Sequence, residues 1–286
     1  MVGVLGVSAS AILVRFSQAP SGVTAAYRLG WTVLLLLPVV LLRCRAELRR
    51  VTARDLVLCG ASGVLLALHF LTWFESLKRT SVASSTVLVS TEVIFTALGF
   101  ALFLHGKIPR LGVTAADDIS RFAIHAFGLA GPRKGGGAGE LSGNLLALAA
   151  ASAAAVYTLI GRIQRGHLST TVYTFLTYLA CFLTLLLGTA AAGTPLTGYG
   201  GREWLIGLAL AVLCTLLVHS LFSWCLKYLS PSYVSAAKLC EPVFSSLAAI
   251  PLFGEVPGPL QLAGGAAVLG AVLLYTWAER EKTPAG

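Results

Sequence analysis

Apolar residues run along this chain in blocks, without the alternation of a half-buried strand or the single stripe of a soluble helix. The blocks cover residues 2–16, 22–42, 56–77, 81–104, 141–161, 169–190, 204–226, 232–253 and 259–278. A helix needs about 20 predominantly apolar residues to cross a bilayer core. The pattern therefore predicts an all-α integral membrane protein. Val2–Phe16 is short for a span and has no charged segment before it. The chain is thus expected to start inside a longer first helix, and no cleaved signal peptide is expected. Leu111–Gly131 has span length but holds Asp117, Asp118, Arg121 and His125. Charges cost roughly 2.5–3.5 kcal/mol each near a helix centre, so this segment is expected to insert only with help from its neighbours.

A repeat supports counting it as a span. "ESLKRTSVASSTVLVSTEVIFTALGFALFL" resembles "WCLKYLSPSYVSAAKLCEPVFSSLAAIPLF" at an offset of 149 residues, which pairs Lys78 with Lys227, Glu92 with Glu241 and Phe95 with Phe244. Five spans per unit is an odd number, so the second unit would enter the membrane upside down, an arrangement found in transporters. With ten spans and both termini inside, loop and terminal Lys and Arg residues number 12 inside against 6 outside. Without the doubtful span the ratio weakens to 11 against 8. The positive-inside bias favours ten spans and cytoplasmic termini.

Composition agrees with this reading. Hydrophobic residues make up 56% of the 286 and charged ones 12%, against about a quarter charged in soluble domains. The net charge of +9 resides in loop clusters and forms no nucleic-acid face. The six cysteines include no CxxC pair and read as small apolar residues. The five histidines show no paired-ligand spacing, so neither a metal nor another cofactor is expected. "GPRKGGGAGE" lacks the GK[ST] of a phosphate loop and reads as an outer loop.

The segments "SASAILVRFSQAPSGVTAAYRL", "LHFLTWFESLKRTSVASSTVLVSTEVIF" and "SAAKLCEPVFSSLAAIPLFGEVPGP" resemble the drug/metabolite transporter superfamily, in particular its EamA-type members. The resemblance runs from Gly3 to about Tyr275. It implies ten transmembrane helices in two inverted five-helix repeats, here 1–134 and 141–278, followed by a short cytoplasmic tail, 279–286. It also implies a cavity between the halves in the cytoplasmic (inner) membrane, and secondary transport, often export, of amino acids or other small metabolites. The second repeat ends its fourth helix with the family's "LFGEVPG", whereas the first reads "LFLHGKIPR", with Gly106 in place of the glutamate. A disturbed reading frame or a recent divergence over residues 105–134 is expected.

Apart from the doubtful segment and the span ends, the spans hold four formal charges: Arg28, Glu92, Lys238 and Glu241. Such groups are too costly to face lipid. Glu92 lies on a stripe of mostly small or polar residues with Ser81, Ser85, Leu88, Thr96 and Gly99, so it is expected in the bundle interior. The carboxylates admit two readings: structural partners of Lys238 or Arg28, or a transport path that carries solute or a coupling proton. Because Lys238 is one helical turn from Glu241, these two are expected to form a structural ion pair. Glu92, with Arg28 as its partner, is expected nearer the substrate.

His69 and Trp73 share a helix face, and His219 holds nearly the same repeat position as His69. His69 reads equally as a packing or a functional histidine, and Trp73 as a cavity wall or an interfacial anchor. Tyr27, Tyr157 and Tyr173 complete the substrate-cavity candidates. The expected partners are a small-molecule solute, the bilayer and a coupling proton. A membrane-embedded enzyme or a non-transporting scaffold is the alternative, and the sparse polar groups, spread over two halves, argue against an enzyme.

Overall fold

The computed structural model describes residues 2–104, 138–231, 234, 238, 241–256, 259, 263 and 266. The doubtful segment 111–131, the region 105–134 and most of the expected last span lie outside these residues. No strand occurs among the described residues. The helices are α1 (Val2–Phe16), α2 (Ser21–Arg43), the short α3 (Arg45–Leu48), α4 (Ala53–Arg79), α5 (Val82–Val89), α6 (Glu92–Leu104), α7 (Ala138–Gln164), α8 (Thr170–Ala191), α9 (Gly201–Cys225) and α10 (Glu241–Phe253). Six of the described spans are long and apolar enough to cross a membrane: α2, α4, α5 with α6, α7, α8 and α9.

Local chemistry sets several boundaries. Thr52 and Asp55 form a reciprocal capping box at the start of α4. Ser81 accepts the Ser84 amide at 3.1 Å to cap α5, and Ser169 accepts the Val172 amide at 3.3 Å to cap α8. Gly254, at φ 68°, ends α10 in the left-handed region that glycine tolerates. Elements recur at the offset seen in the sequence, since Ser21 and Thr170 open α2 and α8, Glu92 and Glu241 open α6 and α10, and Leu104 and Phe253 close them.

Burial is arranged for lipid. Leu42, Phe103, Leu187 and Val57 point outward, at 69–81% exposure, whereas Ser62, Thr96, Thr177 and Thr215 are fully buried. Hydrocarbon solvates the large apolar side chains, so the hydroxyls gather between helices, where small groups allow close approach. For several the cost is met locally: the hydroxyls of Thr86, Thr174 and Thr189 donate to carbonyls one turn back at 2.7–2.8 Å. Helix α4 packs against both α7 and α8, and α2 also packs against α8. At the α4–α8 crossing a Cβ on Gly63 would stand 2.5 Å from Ala180 Cβ and 2.6 Å from the Thr177 carbonyl oxygen. Only glycine admits this approach.

The loops gather into two polar layers. In one, Arg15 bonds Glu255 at 2.9 Å, Ser17 donates to Glu203 at 2.6 Å and Ser21 donates to Glu75 at 2.9 Å. In the other, His167 and Gln164 donate to Asp55 at 2.7 and 3.2 Å, and the Ser169 amide donates to Glu47 at 2.6 Å. In each layer, the loop after the first helix of one half is tied to the start of a helix in the other half, either α9 at Glu203 or α4 at Asp55.

Candidate functional site

Between the two layers lies a cavity with about 650 Å³ of atom-free space, partly open to solvent. Both halves line it. His69 and Trp73 come from α4, Ser90 and Glu92 from the α5–α6 junction, Tyr157 from α7, His219 and Phe222 from α9, and Lys238 and Glu241 from the α10 region. His69 stands 14 residues after Asp55 and 10 before Arg79 on α4, about 21 Å and 15 Å from those two residues at 1.5 Å per residue.

The apolar run 81–104 breaks at Ser90–Thr91. Their hydroxyls donate at 2.7 Å to Thr86 and Leu88 carbonyls, and Thr91, Val93 and Ile94 amides bond three residues back. These local bonds compete with the helix ladder and tighten the turn. Glu92 is therefore the first residue of α6, not a mid-helix residue, and Glu241 likewise opens α10. A carboxylate at a helix N-terminus is favoured by the helix dipole, which helps explain how both acids are tolerated so deep in the fold.

Lys238 Nζ donates to Glu92 Oε1 and Oε2 at 2.9 and 3.2 Å, and Thr158 Oγ1 donates to Oε1 at 3.0 Å. The expected Lys238–Glu241 pair is thus corrected. Sequence spacing makes residues 238 and 241 neighbours, but the packing of α5 on α10 brings Glu92 within reach of the ammonium group. Glu241 is 5% exposed, and its Oε1 has no hydrogen-bond partner among the described residues.

Arg28 is not the partner of Glu92. It is fully buried behind the cavity wall, where Nε donates to Thr215 at 2.7 Å, Nη1 donates to Ser10 at 3.1 Å, and the guanidinium lies 4.2 Å from the centre of the Phe70 ring. The Leu210–His219 part of α9 is a π-helix, a form frequent at functional sites, and it turns Cys214 and His219 toward the cavity.

The structure places His69, Trp73, Glu92, Tyr157 and His219 on the cavity. Tyr27, Arg28 and Tyr173 are not among its lining residues. Tyr27 stacks on Trp204 at 4.1 Å and donates to the Leu196 carbonyl, and Tyr173 bonds Ser62 at 3.0 Å. Their hydroxyls find partners away from the cavity, Tyr27 in the loop after α8 and Tyr173 on α4, a packing role that the sequence pattern did not separate from lining. Ser10, Ser90 and Phe222 also line the cavity and were not anticipated. The serine pairs with Thr91 just before Glu92, which was a readable sign of a helix break.

His69 Nδ1 lies 3.0 Å from the Ala150 carbonyl, which can only accept, so Nδ1 carries hydrogen and neutral His69 presents Nε2 as an acceptor. His69 also stacks on Trp73 at 5.8 Å. Trp73 Nε1 is a buried donor without a partner among the described residues. The lining therefore offers a carboxylate, an imidazole acceptor, an indole donor and aromatic faces. No group of three or more His, Cys, Asp or Glu that could hold a metal occurs among the described residues.

Several apolar spans around a shared cavity define a multi-pass membrane protein. The sequence matches the EamA-like transporter family over residues 1–116 and 141–277, and the chain belongs to that family. It is a transporter of small solutes. A crystal structure of a protein, 20% identical in sequence, shares the fold with a TM-score of 0.72, over 98% of this chain and 96% of that one. No curated protein matches the sequence at a significant level.

Proposed function

We propose that the protein is a secondary transporter that exports small organic solutes, such as amino acids or related metabolites, across the cytoplasmic membrane. In this reading it has ten helices in two inverted five-helix repeats, with both termini cytoplasmic. The observation that carries the reading is the shared cavity: Glu92 from one half and Lys238 from the other meet in its wall, 2.9 Å apart, between two polar layers. A site made by both halves can be opened to one side or the other by moving one half against the other.

His69, Trp73, Tyr157, His219 and Glu241 are the groups we assign to solute contact, with the Glu92–Lys238 pair fixing the halves relative to each other. Glu241 is the carboxylate best placed to exchange a coupling proton, because Lys238 holds Glu92. Efflux of a radiolabelled amino-acid panel from vesicles containing the purified protein tests the assignment. Wild type should move at least one solute against empty vesicles, and Glu241→Gln should lose that flux while remaining folded. A Glu241→Gln protein that transports at the wild-type rate would refute the role given to Glu241.

A further inference from the structure

The connection between α2 and α4 is short and firmly held. Helical bonding continues through it, with the Leu48 amide donating to the Cys44 carbonyl and the Arg50 amide to the Glu47 carbonyl, both at 2.9 Å. Cys44, Leu48 and Val51, spaced like one face of a helix, pack against Val172 and Tyr173 of α8. Outward stand Arg43, Arg45, Arg49, Arg50 and Arg54, all five exposed. The segment's two acids turn the other way: Glu47 accepts the Ser169 amide at 2.6 Å, and Asp55 accepts from His167 and Gln164 at 2.7 and 3.2 Å.

These five guanidinium groups differ from the rest. None of them has a hydrogen bond or ion pair among the described residues. Each of the other six described arginines donates to an oxygen of the protein. At this same end, Arg162 donates to the Leu226 carbonyl at 2.6 Å and Arg165 to the Ser223 carbonyl at 3.1 Å. The five also stand at the edge of the apolar zone. Arg43 ends the α2 span, Arg54 lies at the start of the α4 span, and the neighbouring Leu42 and Val57 are 81% and 69% exposed, as lipid-facing side chains are.

We propose that the α2–α4 connection is a binding platform for anionic phospholipid, with Arg45, Arg49 and Arg50 holding head-group phosphates and Arg43 and Arg54 flanking them. A planar guanidinium pairs two phosphate oxygens at once, and clusters of about four to eight basic residues beside a span attract anionic lipid. Because Cys44, Leu48 and Val51 fix the backbone against α8, the arginines are displayed on an ordered surface. The platform is separate from the cavity and does not depend on what the protein carries.

The test uses the full chain purified in detergent, with dioleoyl phosphatidylglycerol, dioleoyl phosphatidylcholine and inorganic phosphate as probes. The readout is the rise in unfolding temperature, since a ligand that binds the native state stabilises it. Wild type should respond to phosphatidylglycerol and far less to the other two. Each arginine near an anionic surface contributes about fivefold in binding, corresponding to roughly 1 kcal/mol. Arg45→Gln/Arg49→Gln/Arg50→Gln should therefore need at least about tenfold more phosphatidylglycerol for half-saturation, whereas Arg202→Gln, at the other end of the bundle, should match wild type. If the triple variant does not fold, Arg49→Gln/Arg50→Gln should show at least about a fivefold loss.

A response to phosphatidylcholine or to inorganic phosphate as large as that to phosphatidylglycerol would overturn the proposal. So would wild-type half-saturation in the folded triple or double variant, or an equal loss in Arg202→Gln. Solute flux does not enter the measurement, so a failure of the transport reading would leave this inference standing.

Discussion

Alanine at Gly63 adds one methyl group where α4 crosses α8. Its carbon would stand 2.5 Å from Ala180 Cβ, 2.6 Å from the Thr177 carbonyl oxygen and 2.8 Å from the Cys181 amide nitrogen. Two of these neighbours are backbone, so no side-chain rotation relieves the overlap, and the helices must part by about 1 Å to reach ordinary contact of about 3.5 Å. Overpacking of this kind costs roughly 1–3 kcal/mol. Gly60, three residues earlier on the same helix, has nothing within 4 Å of its added Cβ. Both substitutions gain the same helix propensity, about 1 kcal/mol. The difference between the two variants therefore isolates the steric cost. At roughly 2–4 °C per kcal/mol for a chain of this order, Gly63→Ala should unfold about 2–12 °C below Gly60→Ala. Tryptophan fluorescence during heating of the purified variants at one scan rate measures the gap. Equal midpoints, or a higher one for Gly63→Ala, would show that the α4–α8 crossing is not the tight contact described.

Other outcomes follow from the ion pairs and the loops. Glu92→Gln leaves a largely buried ammonium without its carboxylate, and breaking a buried pair costs on the order of 3–5 kcal/mol, so this variant should give less folded protein by size exclusion than Glu241→Gln; the reverse order would contradict the pairing. Gly99→Ala should cost less than Gly63→Ala, because its nearest neighbour is the mobile end of Leu159, and an equal loss of melting temperature would count against that distinction. Glu255→Gln weakens the partly exposed contact with Arg15 and should lower stability by about 1 kcal/mol or less, an effect that shrinks in high salt; a salt-independent change would point elsewhere. With the other cysteines replaced by serine, Cys44 should resist a membrane-impermeant maleimide added to intact cells, whereas a cysteine at Thr197 should react. Labelling of both from outside would sink the proposed orientation.

The helices were legible because bilayer thickness fixes the length of an apolar run, and the starts of α2 and α8 fall at the offset read from sequence similarity. The break at Ser90–Thr91 was not read, since both residues are tolerated within a long apolar helix until their hydroxyls turn to the backbone. Burial of all four charges could be anticipated from their cost in lipid, and each is in fact withdrawn from it. Partnership could not be anticipated. Spacing along one helix favoured Lys238 with Glu241, but a lysine reaches several ångströms and meets whichever carboxylate a neighbouring helix presents. Tyr27 and Tyr173 show the same limit: an aromatic residue on a buried face reads alike whether it borders empty space or another helix.

The paired fastenings at the two ends of the bundle have a consequence for kinetics. Ser17 and Gln18 hold Glu203 at one end, and Gln164 and His167 hold Asp55 at the other, so in the transport cycle proposed above rocking one half against the other has to undo a few directed bonds far from the cavity. Affinity is then set in the middle of the molecule and turnover at its rims. Changes selected for faster or slower cycling should therefore cluster at these end residues and leave the cavity's preference for its cargo unaltered.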